Sequence, residues 1–307
     1  MTDSATLDAI RLWELPQVGE KAAHRILETN RLRGRSLATF FRLPAAVWRE
    51  DYDLHPATLE RLLGGRDEHE SHCRWLAQRL DAAGAGVYLA SAHGYPARLR
   101  DRLRPPPAMV SMLGEATVLD LPTLAVLNSR AIDDRVVRAS HAAVQAAIEQ
   151  GFSVISGGMK ASHRIAAVAA RAAAAPRAIV LDRGLFATFG AQVDRDPFGF
   201  GPGRGPLDNR RTLVLSPFRL ADHAVAHNGK RRDELVAALA DVIIVVHARP
   251  GGVIERVALE ALDRGQIVLS WYGENAGLVE AGATAIEEAD LDGELLQYTS
   301  QRAACFP

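Results

Sequence analysis

With 307 residues, 48% hydrophobic and 24% charged, and a formal net charge of −1, the chain can bury one large core or two smaller ones. That balance excludes a uniformly basic, histone-like surface but leaves room for a local basic groove, and no apolar run approaches the roughly 20 residues that cross a bilayer. Cys73 and Cys305 match no metal spacing and read as reduced thiols; together with an N-terminus lacking a basic-then-apolar leader, they lead us to expect a cytoplasmic protein.

Residues 1–85 predict a helical module. Leu7, Ile10, Leu12 and Leu15 mark one apolar helix face, Pro16-Gln17-Val18-Gly19 breaks it, and Ala22, Ala23, Ile26 and Leu27 resume it. Short helices are expected near 37–43 and 58–63, and a longer one near 67–83. Two helices flanking LPQVGEKAAHRIL look like a helix-hairpin-helix or SAM-like unit, whose glycine turn lets backbone N–H groups approach a DNA phosphate. Only Gly19 stands where that motif usually carries two glycines, so a bundle used for packing or protein contact is the competing reading. Gly84-Ala85-Gly86 is the expected hinge. Residues 87–90 read as a strand, and Pro105-Pro106-Pro107 as an extended connector into an edge strand at 109–112, because prolines cannot occupy a helix interior or a central strand.

The stretch 124–160 organises the rest of the chain. LAVL is a short apolar strand ended by Asn128-Ser129-Arg130. Small and apolar residues recur at helical spacing from 135 to 150, Gly151 is a helix C-cap, and Val154 and Ile155 lead into Ser156-Gly157-Gly158 and Lys160. This is a βαβ unit with both turns at the carboxyl ends of its strands, where open parallel sheets bind ligands and helix N-termini offer free N–H groups to anions.

An alanine-rich helix (163–175) and a strand (178–181) come next. Then 184–211 runs about 28 residues rich in glycine, proline, phenylalanine and arginine. A loop this long inside a domain is usually functional or disordered. Phe186, Phe189, Phe198 and Phe200 could stack on bases, with Arg195, Arg204, Arg210 and Arg211 facing phosphates; a disordered or partner-contacting loop is the competing reading. A strand at 213–215 enters Ser216-Pro217-Phe218. His223 and His227 lie four apart, but no glutamate follows and no third ligand is near, so no metal is expected. Lys230-Arg231-Arg232 opens a helix, as a basic cluster or as a solvated surface run. The apolar run 242–246 is a strand buried on both faces. Arg249-Pro250-Gly251-Gly252, a helix at 253–264, Gly265 and a strand at 267–269 complete the pattern.

The order YPARLRDRLRPPPAMVSMLGE, LAVLNSR, VISGG, RRDELVAALADVIIVVHA and GGVIERVALEALDRGQIVL resembles the DNA-processing protein DprA/Smf family over roughly residues 7–269. The resemblance implies an α/β fold: an extended Rossmann-like parallel sheet with helices on both faces, preceded by the small helical module. It gives domains of 1–85 and 86–290 with a C-terminal tail of 291–307. It implies single-stranded DNA as partner, a RecA-type recombinase loaded during natural transformation, a homodimer, and no cofactor.

Carried over residue by residue, Ser129 and Arg130 match the family's Gly-Ser-Arg turn, with Asn128 in place of its glycine. Ser156 and Gly157 match its Ser-Gly turn, continued by Gly158 and Lys160. The family's Gly-Ile-Asp is read as Ala161-Ser162-His163. Arg232 matches the first arginine of Arg-Asn-Arg, while Asp233 and Glu234 replace the rest, and Lys230 and Arg231 could restore the lost charge. Gly251 and Gly252 fall near a Ser-Gly-Ser turn.

Two other functions compete. The related phosphoribohydrolases carry Pro-Gly-Gly-x-Gly-Thr-x-x-Glu; Pro250-Gly251-Gly252 begins it, but Ile254, Glu255 and Ala258 depart, so catalysis is not expected while nucleotide binding stays open. A degenerate member serving protein contacts in a defence or regulatory system is the other. No Gly-x-Gly-x-x-Gly follows the first strand, against a dinucleotide oxidoreductase.

Overall fold

Phe40, Phe41, Trp48 and Tyr52, all buried, tie together a run of helices too short to be stable alone. The computed structural model describes residues 4–129, 133–158, 160–190, 195–198 and 205–305. Internal contacts divide the chain into two units, 1–100 with 104–113, and 101–103 with 114–307.

The first unit opens with α1 (Ser4–Trp13), α2 (Glu20–Leu32), α3 (Leu37–Phe40), α4 (Ala45–Asp51), α5 (Pro56–Gly64) and α6 (Arg66–Ala83). Ser36 caps α3 by accepting from Thr39 N at 3.1 Å. The buried polar atoms of the aromatic cluster are satisfied: Tyr52 donates to Asn30 Oδ1 at 2.6 Å, and Trp48 Nε1 to Phe40 O at 2.9 Å. Burial pushes the Cys73 thiol up to about 12, which makes it a poor nucleophile.

Gly84 is not a hinge but the left-handed cap of α6, at φ 68°, feeding directly into β1 (Ala85–Leu89). After α7 (Ala97–Arg102), β2 (Met109–Gly114) pairs antiparallel with β1, Val87 opposite Ser111. That pairing is why this strand pair belongs with the helices rather than starting the next unit at 86.

The second unit holds β3 (Thr123–Asn128), α8 (Asp134–Glu149), β4 (Ser153–Gly157), α9 (Ala161–Ala172), β5 (Arg177–Val180), α10 (Leu185–Phe189), β6 (Thr212–Ser216), α11 (Asn228–Leu239), β7 (Val242–His247), α12 (Val253–Asp263), β8 (Ile267–Trp271), α13 (Ala276–Glu280), β9 (Thr284–Ile286) and α14 (Leu291–Cys305). Its strands run parallel in the order β6-β5-β4-β3-β7-β8-β9. Alternation along each strand sends Leu124, Val126, Val242, Ile244 and Leu269 to one face, where they share a core with α8, α9 and Leu291 and Leu295 of α14. Ala125, Leu127, Ile243 and Val245 are equally buried on the other, and α11 and α12 supply the second helical layer. This is a Rossmann-like α/β fold. Residues 291–305, read from sequence as a tail, form a helix that completes the first of these cores.

The long segment after β5 differs from its sequence reading. Phe186, Phe189 and Phe198 are buried, the last two edge to face at 6.1 Å between ring centres, so none is a stacking platform. Asp196, fully buried, is held by Arg177 and Arg171 and accepts from Phe198 N at 2.8 Å. Arg195, Arg210 and Arg211 are exposed, Arg211 donating to Ala174 O; Phe200 and Arg204 lie outside the described residues.

Candidate functional site

β3 and β7 are neighbours, yet the crossovers from them run to opposite sides of the sheet: β3 leads to β4, β5 and β6, β7 to β8 and β9. Parting crossovers leave a crevice at the carboxyl ends of the strands. A cavity of about 510 Å³ opens there, lined by Asn128 and Ser129 after β3, Lys160, Ser162 and His163 at the start of α9, Gly229, Lys230, Arg232 and Asp233 of α11, His247 and Arg249 after β7, and Gly252, Val253 and Ile254 at the start of α12. α9 and α12 both begin without a side-chain cap, so their first N–H groups are left to a ligand or to solvent.

Side chains fix this edge. Asn128 is buried; its Nδ2 donates to Ser140 Oγ at 2.9 Å and its Oδ1 accepts from His247 N at 3.2 Å, across the register shift between β3 and β7. An asparagine in place of glycine thus locks the two strand ends together. Ser129 N donates to His247 O at 2.8 Å, and its hydroxyl oxygen accepts from Arg249 N at 2.8 Å, with no acceptor for the hydroxyl proton among the described residues. Asn275, at φ 55°, accepts from Ala248 N at 2.6 Å and donates to Val245 O at 3.1 Å, clamping the end of β7 from the loop after β8.

Beneath the cavity lies a buried charge network. Arg232 is 1% exposed and donates twice to Asp233 Oδ1, at 2.9 and 2.6 Å, and once to Asp182 Oδ2 at 3.3 Å. Asp233 Oδ1 also lies 3.1 Å from His163 Nε2. Burial, reinforced by the Arg232 charge, holds His163 below its ordinary pKa against the pull of Asp233. For Asp233 burial pushes upward, but the hydrogen bonds from His163 and Arg232 and the Arg232 charge together outweigh it and keep the carboxyl below its usual range. The floor is therefore an ionised carboxylate, a guanidinium and a neutral imidazole.

The structure sorts the residues predicted from sequence into three groups. Asn128, Ser129, Lys160, Lys230, Arg232 and Gly252 converge on the cavity. Four others serve its construction. Ser156 is wholly buried on β4. Gly157 makes room for the floor, since a Cβ there would stand 2.7 Å from Arg232 Cδ and 3.0 Å from His163 Cγ. Gly158 lies under Phe198, whose Cδ1 would be 2.6 Å from a Cβ. Gly251, at φ 67°, turns the chain into α12, its N–H donating to Glu255 Oε2 at 2.6 Å. Arg231 pairs with Glu234 at 3.1 Å, and Arg130 lies outside the described residues.

Arg232 itself departs from the expectation of a phosphate-facing side chain, because its guanidinium is already held by Asp233 and Asp182. Nor does Asp233 stand as an unopposed negative charge. Sequence reasoning missed His163, Asp182, His247, Arg249 and Asn275. His247 and Arg249 were the most legible, following directly on the buried run of β7; His163 and Asp182 meet Asp233 and Arg232 only in three dimensions.

The family model described as DNA recombination-mediator protein A matches residues 87–290. The structure of DNA processing protein A from Streptococcus pneumoniae is similar at a TM-score of 0.69 and 18% identity, covering 96% of this chain and 99% of that one. DNA processing protein A from Helicobacter pylori, whose structure addresses a single-stranded DNA binding mode, is similar at a TM-score of 0.54 and 18% identity, over 71% of this chain and 96% of that one. Among curated proteins none matches. At 18% identity these structures establish the fold, and the family match, spanning the whole switch-point site, carries the conclusion that this chain belongs to the DNA recombination-mediator protein A family.

Proposed function

We propose that this protein binds single-stranded DNA along the carboxyl edge of β3, β4 and β7 and serves DNA processing without catalysing a reaction. The observation that carries the reading is the sign of the site. Lys160, Lys230 and Arg249 join the starts of α9, α11 and α12 around one cavity, and Arg232 neutralises its carboxylate, Asp233, from beneath. Positive side chains and helix N-termini suit a phosphate backbone of any sequence. The Helicobacter relative, described by its single-stranded DNA binding, supports the same ligand. Loading of a RecA-type recombinase, action as a homodimer, a role in natural transformation and a cytoplasmic location complete the proposal by family resemblance; no described helix is long and apolar enough to cross a membrane.

The non-catalytic part rests on Ala258, wholly buried where the phosphoribohydrolases place a glutamate, and on Glu255, which closes the turn at Gly251. Fluorescence anisotropy with a labelled dT oligonucleotide at several salt concentrations tests the binding. Lys160→Ala with Lys230→Ala should weaken it and reduce the salt slope by roughly 1.4, about 0.7 for each lost single-strand phosphate contact. Unchanged affinity and slope would move the DNA elsewhere. A second reading, a nucleotide-derivative ligand, draws on the volume of about 510 Å³, which falls within the ~300–1,000 Å³ of small-molecule sites. A mononucleotide panel in the same assay separates the two.

A further inference from the structure

The imidazole of His163 is 2% exposed and forms part of the cavity wall. Its Nε2 faces Asp233 Oδ1 at 3.1 Å, and because an ionised carboxylate only accepts, Nε2 carries the proton in the neutral ring. Nδ1 is then a bare lone pair, shielded from water and without a hydrogen-bond partner among the described residues. Unsatisfied buried nitrogens are uncommon and call for an explanation. In the sequence both members of this pair stand where the family pattern has other residues, aspartate at 163 and asparagine at 233, and the two replacements have become bonded to each other.

The charges around the ring decide what it does. Arg232 and Lys160 oppose a proton on it and Asp233 favours one, while Asp182 is paired with Arg232 and Arg183. Lys230 sits on the rim with Glu234 at 3.4 Å. The other titratable ring of the wall, His247, has its own carboxylate, Glu274, at 3.2 Å. An anion entering the cavity would offset Lys160 and Lys230 and so relieve the charges that oppose a proton on the ring.

We propose that His163 is a ligand-sensing residue of this site, taking up one proton as an anion binds and becoming an imidazolium paired with Asp233 in the wall beneath the bound anion. No bond other than N–H is made, and the proton comes from solvent. The proposal rests on the cavity being an anion site and extends that reading: binding is proton-coupled, so affinity falls as pH rises through the interval between the ring's free and bound pKa values, by at most about tenfold per unit for one proton.

Calorimetric titration with a dT oligonucleotide at neutral pH, in two buffers of different ionisation heat, counts the protons. The wild type should take up close to one per bound site, and His163→Gln, which keeps a donor toward Asp233, close to none with a flatter pH profile. His247 is present in both proteins, so it cancels in the difference. Histidine nitrogen NMR of the wild type gives a check independent of the variant's folding: the ring should pass from the neutral Nε2–H form to imidazolium on saturation. Equal proton uptake by the two proteins, or a ring that stays neutral when saturated, overturns the proposal and leaves DNA binding standing. If the oligonucleotide does not bind, the titration is repeated with inorganic phosphate. Uptake dependent on His163 then supports the proposal and overturns the DNA reading, and no binding of either probe overturns both.

Discussion

Lys230 and Arg232 sit two residues apart at the start of α11, and their environments have little in common. The Lys230 side chain is 46% exposed and, among the described residues, meets the carboxylate of Glu234 at 3.4 Å. Arg232 is 1% exposed and bonded to two carboxylates. The helical repeat turns them to different sides, one to the rim and one to the floor. A basic run in a sequence is therefore not a unit of function. The rim can bargain with a ligand because water already solvates it; the floor cannot, because every charge there is committed to another.

The floor should give the largest effect. Arg232→Leu removes the partner of Asp233 and Asp182 in the interior and should cost about 3–5 kcal/mol in urea unfolding, as broken buried pairs do. Lys230→Ala should cost under about 1 kcal/mol, as exposed pairs do. Similar losses for both would erase the distinction between rim and floor.

Gly157→Ala comes next. Its Cβ would press on Arg232 Cδ at 2.7 Å and His163 Cγ at 3.0 Å, an overpacking expected to cost about 1–3 kcal/mol and to weaken DNA binding by displacing the floor. A variant as stable as the wild type, with unchanged affinity, would show that the floor tolerates the shift and that Gly157 is glycine for another reason.

Acid should act on the floor before the rim. His163 binds its proton less readily folded than unfolded, mainly through burial, so its contribution to stability is complete above the ordinary value of 6.5 and declines as pH falls below it. Asp233, lowered in the fold, adds a second loss as pH drops below its ordinary 3.8. Urea midpoints measured from pH 7.5 to 5 should decline in the wild type and decline less in His163→Gln. Parallel curves would remove His163 from the acid response.

The smallest effect belongs to the rim. Glu234 lies 3.4 Å from Lys230 and 3.1 Å from Arg231, and Glu234→Gln releases both cations toward solvent or DNA. Oligonucleotide affinity should rise by no more than about fivefold, the equivalent of one exposed pair, with stability nearly unchanged. Weaker binding would mean that Glu234 positions the cations rather than restraining them.

The sequence by itself determined the α/β class and the place of the edge. LAVLNSR, VISGG and the run 242–246 carry strand and turn signals within a few residues, and such local patterns survive folding because they depend on side-chain periodicity alone. Gly151 is likewise legible: with φ at 78°, it takes a backbone conformation that disfavours other residues, just past the helix it closes. What the tertiary structure decided is which charged or aromatic side chain meets which. Phe186, Phe189 and Phe198 read as base-stacking groups and instead fill a core; Arg232 reads as a phosphate ligand and instead anchors Asp233 and Asp182. His163 becomes part of the site only because a helix further along the chain brings Asp233, 70 residues away, to within 3.1 Å of it. A charge or a ring has no fixed meaning until its burial and partners are known, because the same guanidinium stabilises a buried carboxylate or a solvent-borne phosphate with equal readiness, and only chain topology selects between them.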